Sequence, residues 1–125
     1  MVTPDELERE HTLQTAVTRY NDLRMREALA EPGLTADESL QLLALGELII
    51  RKAGYGRQLS VRGARSAGAS WAQIGAALGM TRQSAWEAHT RWINDQAEQF
   101  RDTGISGFDA EQEAKARDLA GDDGH

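Results

Sequence analysis

The side chains best equipped for chemistry in this chain lie between Arg57 and Arg91, where arginine, glutamine and hydroxyl groups suit hydrogen bonding to planar acceptors and anionic oxygens. Arginine presents a fork that suits guanine N7 and O6, and glutamine pairs with adenine N6 and N7. Arg82 and Gln83 carry these groups side by side, which makes them the candidate base readers. Thr81, Ser84 and Arg91, with the earlier Arg57, Arg62 and Arg65, suit phosphate oxygens. Arg62 and Arg65 equally fit a plain solvated surface.

Catalytic constellations are not apparent. His11, His89 and His125 are scattered, and no pair has metal-ligand spacing with a carboxylate on the same face. His89 reads as a helix-surface or core-edge residue, and Glu6, Glu8 and Glu10 as a solvated charge run. The absence of cysteine excludes disulfides, thiolate zinc sites and cysteine nucleophiles. With no strand expected, no glycine-rich phosphate loop has a strand to follow. The expectation is a protein that is not an enzyme and uses no cofactor or metal.

The elements that must position Arg82 and Gln83 are helical. Two prolines, seven aromatic residues and abundant Ala, Leu, Glu, Arg and Gln favour helix over sheet. Three segments open with Ser or Thr followed three residues later by Glu or Gln, the reciprocal capping pattern of a helix start: Thr3 with Glu6, Thr35 with Glu38, and Ser70 with Gln73. A long first helix is predicted from Pro4 to about Ala30, with Leu13, Val17, Tyr20 and Arg24 on one side, ended by Glu31-Pro32-Gly33. A second, over about Ala36 to Ala53, is apolar around most of its circumference, as a central core helix would be. A short third helix runs from about Gln58 to Ala67 and ends at Gly68.

The segment from Ser70 to about Trp92 has the spacing of a helix-turn-helix. Ile74 and Leu78 face a core, Gly75 permits close helix approach, and Gly79 supplies the positive φ of a tight turn. Met80 fills the corner and Thr81 caps the next helix. Ala85, Ala88 and Trp92 then point inward, which turns Gln83, Glu87 and Thr90 outward, with Arg82 and Trp86 on one flank and Ser84 and Arg91 on the other. Trp86 either covers the core edge or packs against a sugar-phosphate backbone. The fold expected is thus all-α, a compact domain of about five helices over residues 1–103 with a long N-terminal helix. Residues 104–125, rich in Ala, Gly and carboxylates, read as a mobile acidic tail in which Asp109 to Ala120 could form one solvated helical stretch.

The net charge of −6 argues against nucleic acid until its distribution is considered. Residues 1–50 hold 4 basic and 10 acidic side chains, residues 51–92 hold 7 and 1, and residues 93–125 hold 3 and 9. Phosphate binding responds to potential within a Debye length of about 10 Å, so a basic middle third permits DNA binding by an acidic protein. The acidic start and the lack of a long apolar run imply a soluble, cytoplasmic, nucleoid-associated protein without a membrane partner.

The run Gly68-Ala-Ser-Trp-Ala-Gln-Ile-Gly-Ala-Ala-Leu-Gly79, followed by Thr81-Arg-Gln-Ser-Ala-Trp86, resembles the helix-turn-helix of small bacterial transcriptional regulators, especially those of high-GC actinobacteria. The resemblance covers roughly residues 57–93 and implies a sequence-specific duplex DNA-binding protein, commonly a homodimer. Two other readings of the same motif stay open: a phage or mobile-element accessory protein for DNA packaging or recombination, and a helix-turn-helix-shaped module that binds another protein.

Overall fold

A computed structural model describes residues 1–29 and 32–125. The predicted end of the first helix at Ala30, and Glu31 of its stop, lie outside the described residues. All regular structure among the described residues is helical: α1 (Pro4–Glu10), α2 (Leu13–Leu29), α3 (Ala36–Tyr55), α4 (Arg57–Ser66), α5 (Trp71–Leu78), α6 (Arg82–Thr103) and α7 (Ala110–Ala120). They form two compact units, Met1–Gly56 and Arg57–His125, where the sequence suggested one domain of about five helices and a tail.

In the first unit the expected long N-terminal helix is two helices. His11 is extended (φ −123°, ψ 140°), and Thr12 and Thr15 cap α2 reciprocally, each main-chain N–H donating to the other's hydroxyl at 3.0 and 3.2 Å. This start escapes a search for Ser/Thr paired with Glu/Gln because threonine fills both positions. Leu7, Ala16 and Leu23 bury against Leu42, Ala44, Leu45 and Leu48 of α3, with Val2, Tyr20, Leu34 and Ile49 at the edge. Leu13 and Leu29 stay exposed, and so do Leu40, Leu43 and Ile50, so α3 is covered on one side only.

In the second unit, α4 and α5 end alike. Gly68 and Gly79 have positive φ (98° and 70°). The amides that follow, Ala69 and Met80, reach back to Ala64 and Gly75 carbonyls at 2.9 Å. The core gathers Val61, Trp71, Ile74, Ala85, Ile93, Ala116 and Ala120, with Trp86, Trp92 and Phe108 beside it.

The predicted mobile tail belongs to this core. Asp109 caps α7 through a reciprocal bond pair with Gln112, and the loop before it is pinned by Phe108 N–H on the Gln96 carbonyl at 2.9 Å. Burial of Ala116 and Ala120 is small in area. What holds α7 is the set of polar bonds at its C-terminal end, whose donors sit more than 30 residues away in sequence.

Candidate nucleic-acid interface

The turn between α5 and α6 is built from local sterics. A Cβ on Gly75 would lie 2.8 Å from the Met80 carbonyl oxygen and 2.9 Å from the Thr81 carbonyl carbon, so only glycine lets the chain fold back this closely. Thr81, extended at φ −70° and ψ 157°, caps α6 by accepting the Ser84 N–H at 3.0 Å, and donates its hydroxyl to Ser84 Oγ at 2.9 Å. Arg82, Gln83 and Ser84 are thereby held exposed on the first turn of a 22-residue helix.

The inward seam of α6 is Ala85, His89, Ile93 and Ala97. Ala88 and Trp92, expected to face inward, are half-buried at its edge, and so is Thr90. The fully exposed row is consequently Gln83, Glu87 and Arg91, four residues apart, and Arg91 takes the outward place expected of Thr90. Gln83 Nε2 donates to Glu87 Oε1 at 3.0 Å, an exposed one-turn pair.

Before Arg101 the second unit uses its arginines in three ways. Arg57, Arg82 and Arg91 are exposed, and among the described residues none of them pairs with an aspartate or glutamate. Arg62 lies 5.8 Å from the ring centroids of both Trp92 and Phe108. Arg65 sits 5.1 Å from the Trp71 ring centroid and donates to the carbonyls of Ala69, Leu119, Ala120 and His125 at 2.7–3.3 Å. The bonds to Leu119 and Ala120 cap the C-terminal end of α7, where the helix dipole favours a cation. Arg65 is thus held by main-chain carbonyls and Arg62 lies half-buried beside two rings, so neither is a plain solvated charge.

Trp71 and Trp86 complete the same clamp. The Trp71 indole N–H donates to the Ala120 carbonyl at 2.7 Å and that of Trp86 to the Gly121 carbonyl at 2.8 Å. Of the two roles open to Trp86, the core edge is the one it occupies. Arg51 and Lys52, counted with the basic middle third, belong to the first unit, where Arg51 bonds Asp5 and Glu8.

His89 is a buried packing residue, 1% exposed, between Trp71 (centroids 5.5 Å apart) and Trp92 (5.2 Å). Its Nδ1 lies 2.8 Å from Gln58 Oε1, within hydrogen-bond distance. Burial, then the positive charges of Arg62 and Arg65, pull its pKa from 6.5 down to about 4. Its place on the seam four residues after Ala85 and before Ile93 was the signal for this burial; its polarity hid it.

Among the described residues no three His, Asp or Glu side chains gather to hold a metal ion, and no helix is long and apolar enough to cross a membrane. Comparison with family models, curated proteins and solved structures finds no match to this chain.

Proposed function

We propose that α5, the turn at Gly79–Thr81 and α6 act as a helix-turn-helix that reads the major groove of duplex DNA, the chain serving as a sequence-specific transcriptional regulator. The observation that carries this reading is the first turn of α6. Arg82 and Gln83 stand exposed there on a tight corner, and among the described residues Arg82 has no carboxylate partner. Glu87, one turn on, is repelled by phosphate but accepts from cytosine N4, so the row Gln83–Glu87 favours base edges over backbone. Arg57 and Arg91 are the phosphate-binding candidates. Two paired copies would set their α6 helices into successive major grooves about 34 Å apart.

Selection from a random duplex pool tests the reading, followed by titrations of variants on the selected site and on random duplex. Arg82→Ala and Gln83→Ala are expected to cost about 1–3 kcal/mol on the selected site and much less on random duplex. Arg57→Ala and Arg91→Ala are expected to weaken both alike and lower the salt slope by about one unit each. Absence of any salt-dependent duplex binding would refute the reading and favour a protein-binding module.

A further inference from the structure

We infer that the exposed face of α3 and the groove beside it form a self-complementary surface on which a second copy of this chain docks. The sequence makes α3 apolar around most of its circumference, the pattern of a helix covered on all sides. The first unit covers it on one side only. Leu40, Leu43 and Ile50 share the opposite face with Glu47 at helical spacing, and remain 51%, 69% and 68% exposed. Elsewhere the apolar seams are covered within their own units: Ala16 and Leu23 pack on α3, and Ile93 and Ala97 are buried in the second unit.

The surface fits itself in shape and charge. Between α2 and α3 runs a groove of about 400 Å³, lined by Tyr20, Arg24, Leu43, Gly46, Glu47 and Ile50 among others. It is shallow over Gly46, which has no side chain, and is walled by the Leu43–Ile50 ridge. Two α3 helices crossing antiparallel about a two-fold axis near Leu43 and Glu47 would set the ridge of each copy into the groove of the other. Glu47 is exposed and, among the described residues, has no ion-pair partner. Arg24, on the same groove, uses one guanidinium nitrogen on Glu27, and its others have no partner among the described residues. The two-fold arrangement brings Glu47 of each copy to Arg24 of the other. A patch that carries both ridge and groove, and both signs of charge, favours a second copy over a partner of one sign. Three apolar side chains and one charge pair per copy make a small interface, for which a micromolar association is expected.

This deepens the paired-copy element of the DNA-reading proposal, but its test uses the free protein, so loss of pairing and loss of DNA binding are read separately. In sedimentation equilibrium at about 100 μM, well above a micromolar constant, the full chain is expected at twice its 13.7 kDa mass. Leu43→Glu and Ile50→Glu should each weaken pairing by about a hundredfold, with helicity and melting unchanged because both side chains are exposed in the single chain. Ile105→Glu, exposed in the second unit, should leave the mass as it is. Glu47→Arg and Arg24→Glu should each weaken pairing by about tenfold, and the double exchange should restore it. A wild-type mass of 13.7 kDa, a dimer indifferent to Leu43→Glu and Ile50→Glu, or a double exchange that fails to restore pairing would each overturn the inference.

Discussion

The two units handle positive charge in opposite ways. In the first, Arg19, Arg24, Arg26 and Arg51 each meet an aspartate or glutamate, mostly on exposed helix surfaces. In the second, pairs with Asp or Glu are confined to the segment from Arg101 to Arg117. The arginines before it stack on rings, cap carbonyls or stand free. Exposed ion pairs contribute little to stability, so the first unit loses little when one is broken. Half-buried cations and indoles bonded to main-chain carbonyls lose more, since removing the acceptor leaves a partly desolvated donor unpaired.

The sharpest way to break this comparison is to remove the carbonyls. Deleting residues 109–125 takes away the acceptors of Trp71 and Trp86, most of those of Arg65, and the buried Ala116 and Ala120. The expected loss is about 5 kcal/mol or more, comparable to the whole stability of a small unit. All three tryptophans lie in the second unit, so their emission reports on it alone. It should shift to that of solvated indole, while far-ultraviolet dichroism retains the helices of the first unit. An unchanged emission maximum would mean that α7 contributes nothing to the core.

What was legible in the sequence and what was not divide along the same line. The α5–α6 corner was readable because each requirement is met within a few residues: Gly79 for positive φ, Thr81 for the cap, Gly75 for close approach. The all-helical class followed from composition and from caps at Thr3, Thr35 and Ser70. The docking of α7 was not readable. Its apolar content is mostly alanine, and its anchors are main-chain carbonyls, which every sequence has and none advertises. The Asp109 and Gln112 cap was the one local sign that the segment is ordered. The contacts of Arg62 and Arg65 within the unit were unreadable for the same reason, since Phe108 and the carbonyls of Leu119 and Ala120 reach them from far along the chain.

Acid should separate the units next. Between about pH 6.5 and 4 the unfolded chain protonates His89 while the folded chain does not, so stability of the second unit falls as pH falls through that window and is flat above it. The total over the window is at most about 3 kcal/mol. In the first unit the carboxylate of Glu8 is held below its ordinary 4.5, first by the Tyr55 hydroxyl and then by Arg51. Its contribution is present above that value and is lost only as pH falls below it. Tryptophan-detected melting should therefore weaken from pH 6.5 downward, and His89→Phe should flatten that slope. Equal slopes in the variant and the parent would mean that His89 is not the group responsible.

Glycine substitution gives the smallest contrast, and it sharpens the comparison because the same chemical change is expected to have opposite signs in the two units. Gly46 lies inside α3 at ordinary helical φ, and a methyl group there would meet only Tyr20, at an unstrained 3.6 Å. Gly46→Ala narrows the unfolded chain's freedom without strain and should stabilise the first unit by about 0.5–1 kcal/mol. Gly75 lies inside α5, where the same entropic gain applies, but its methyl group would press on the Met80 oxygen and the Thr81 carbonyl carbon at under 3.0 Å. Those are main-chain atoms of the turn and cannot swing aside, so Gly75→Ala should cost about 1–3 kcal/mol and push α6 away from α5. Differential scanning calorimetry of the two variants, with tryptophan emission to identify the second unit's transition, measures both. If the inter-helix approach at Gly75 is what fixes the first turn of α6, the Gly75 variant should also lose preference for its selected duplex at temperatures where it is still folded. A Gly75→Ala protein as stable as its parent would mean that the corner is loose, and that Arg82 and Gln83 are not held in a fixed place.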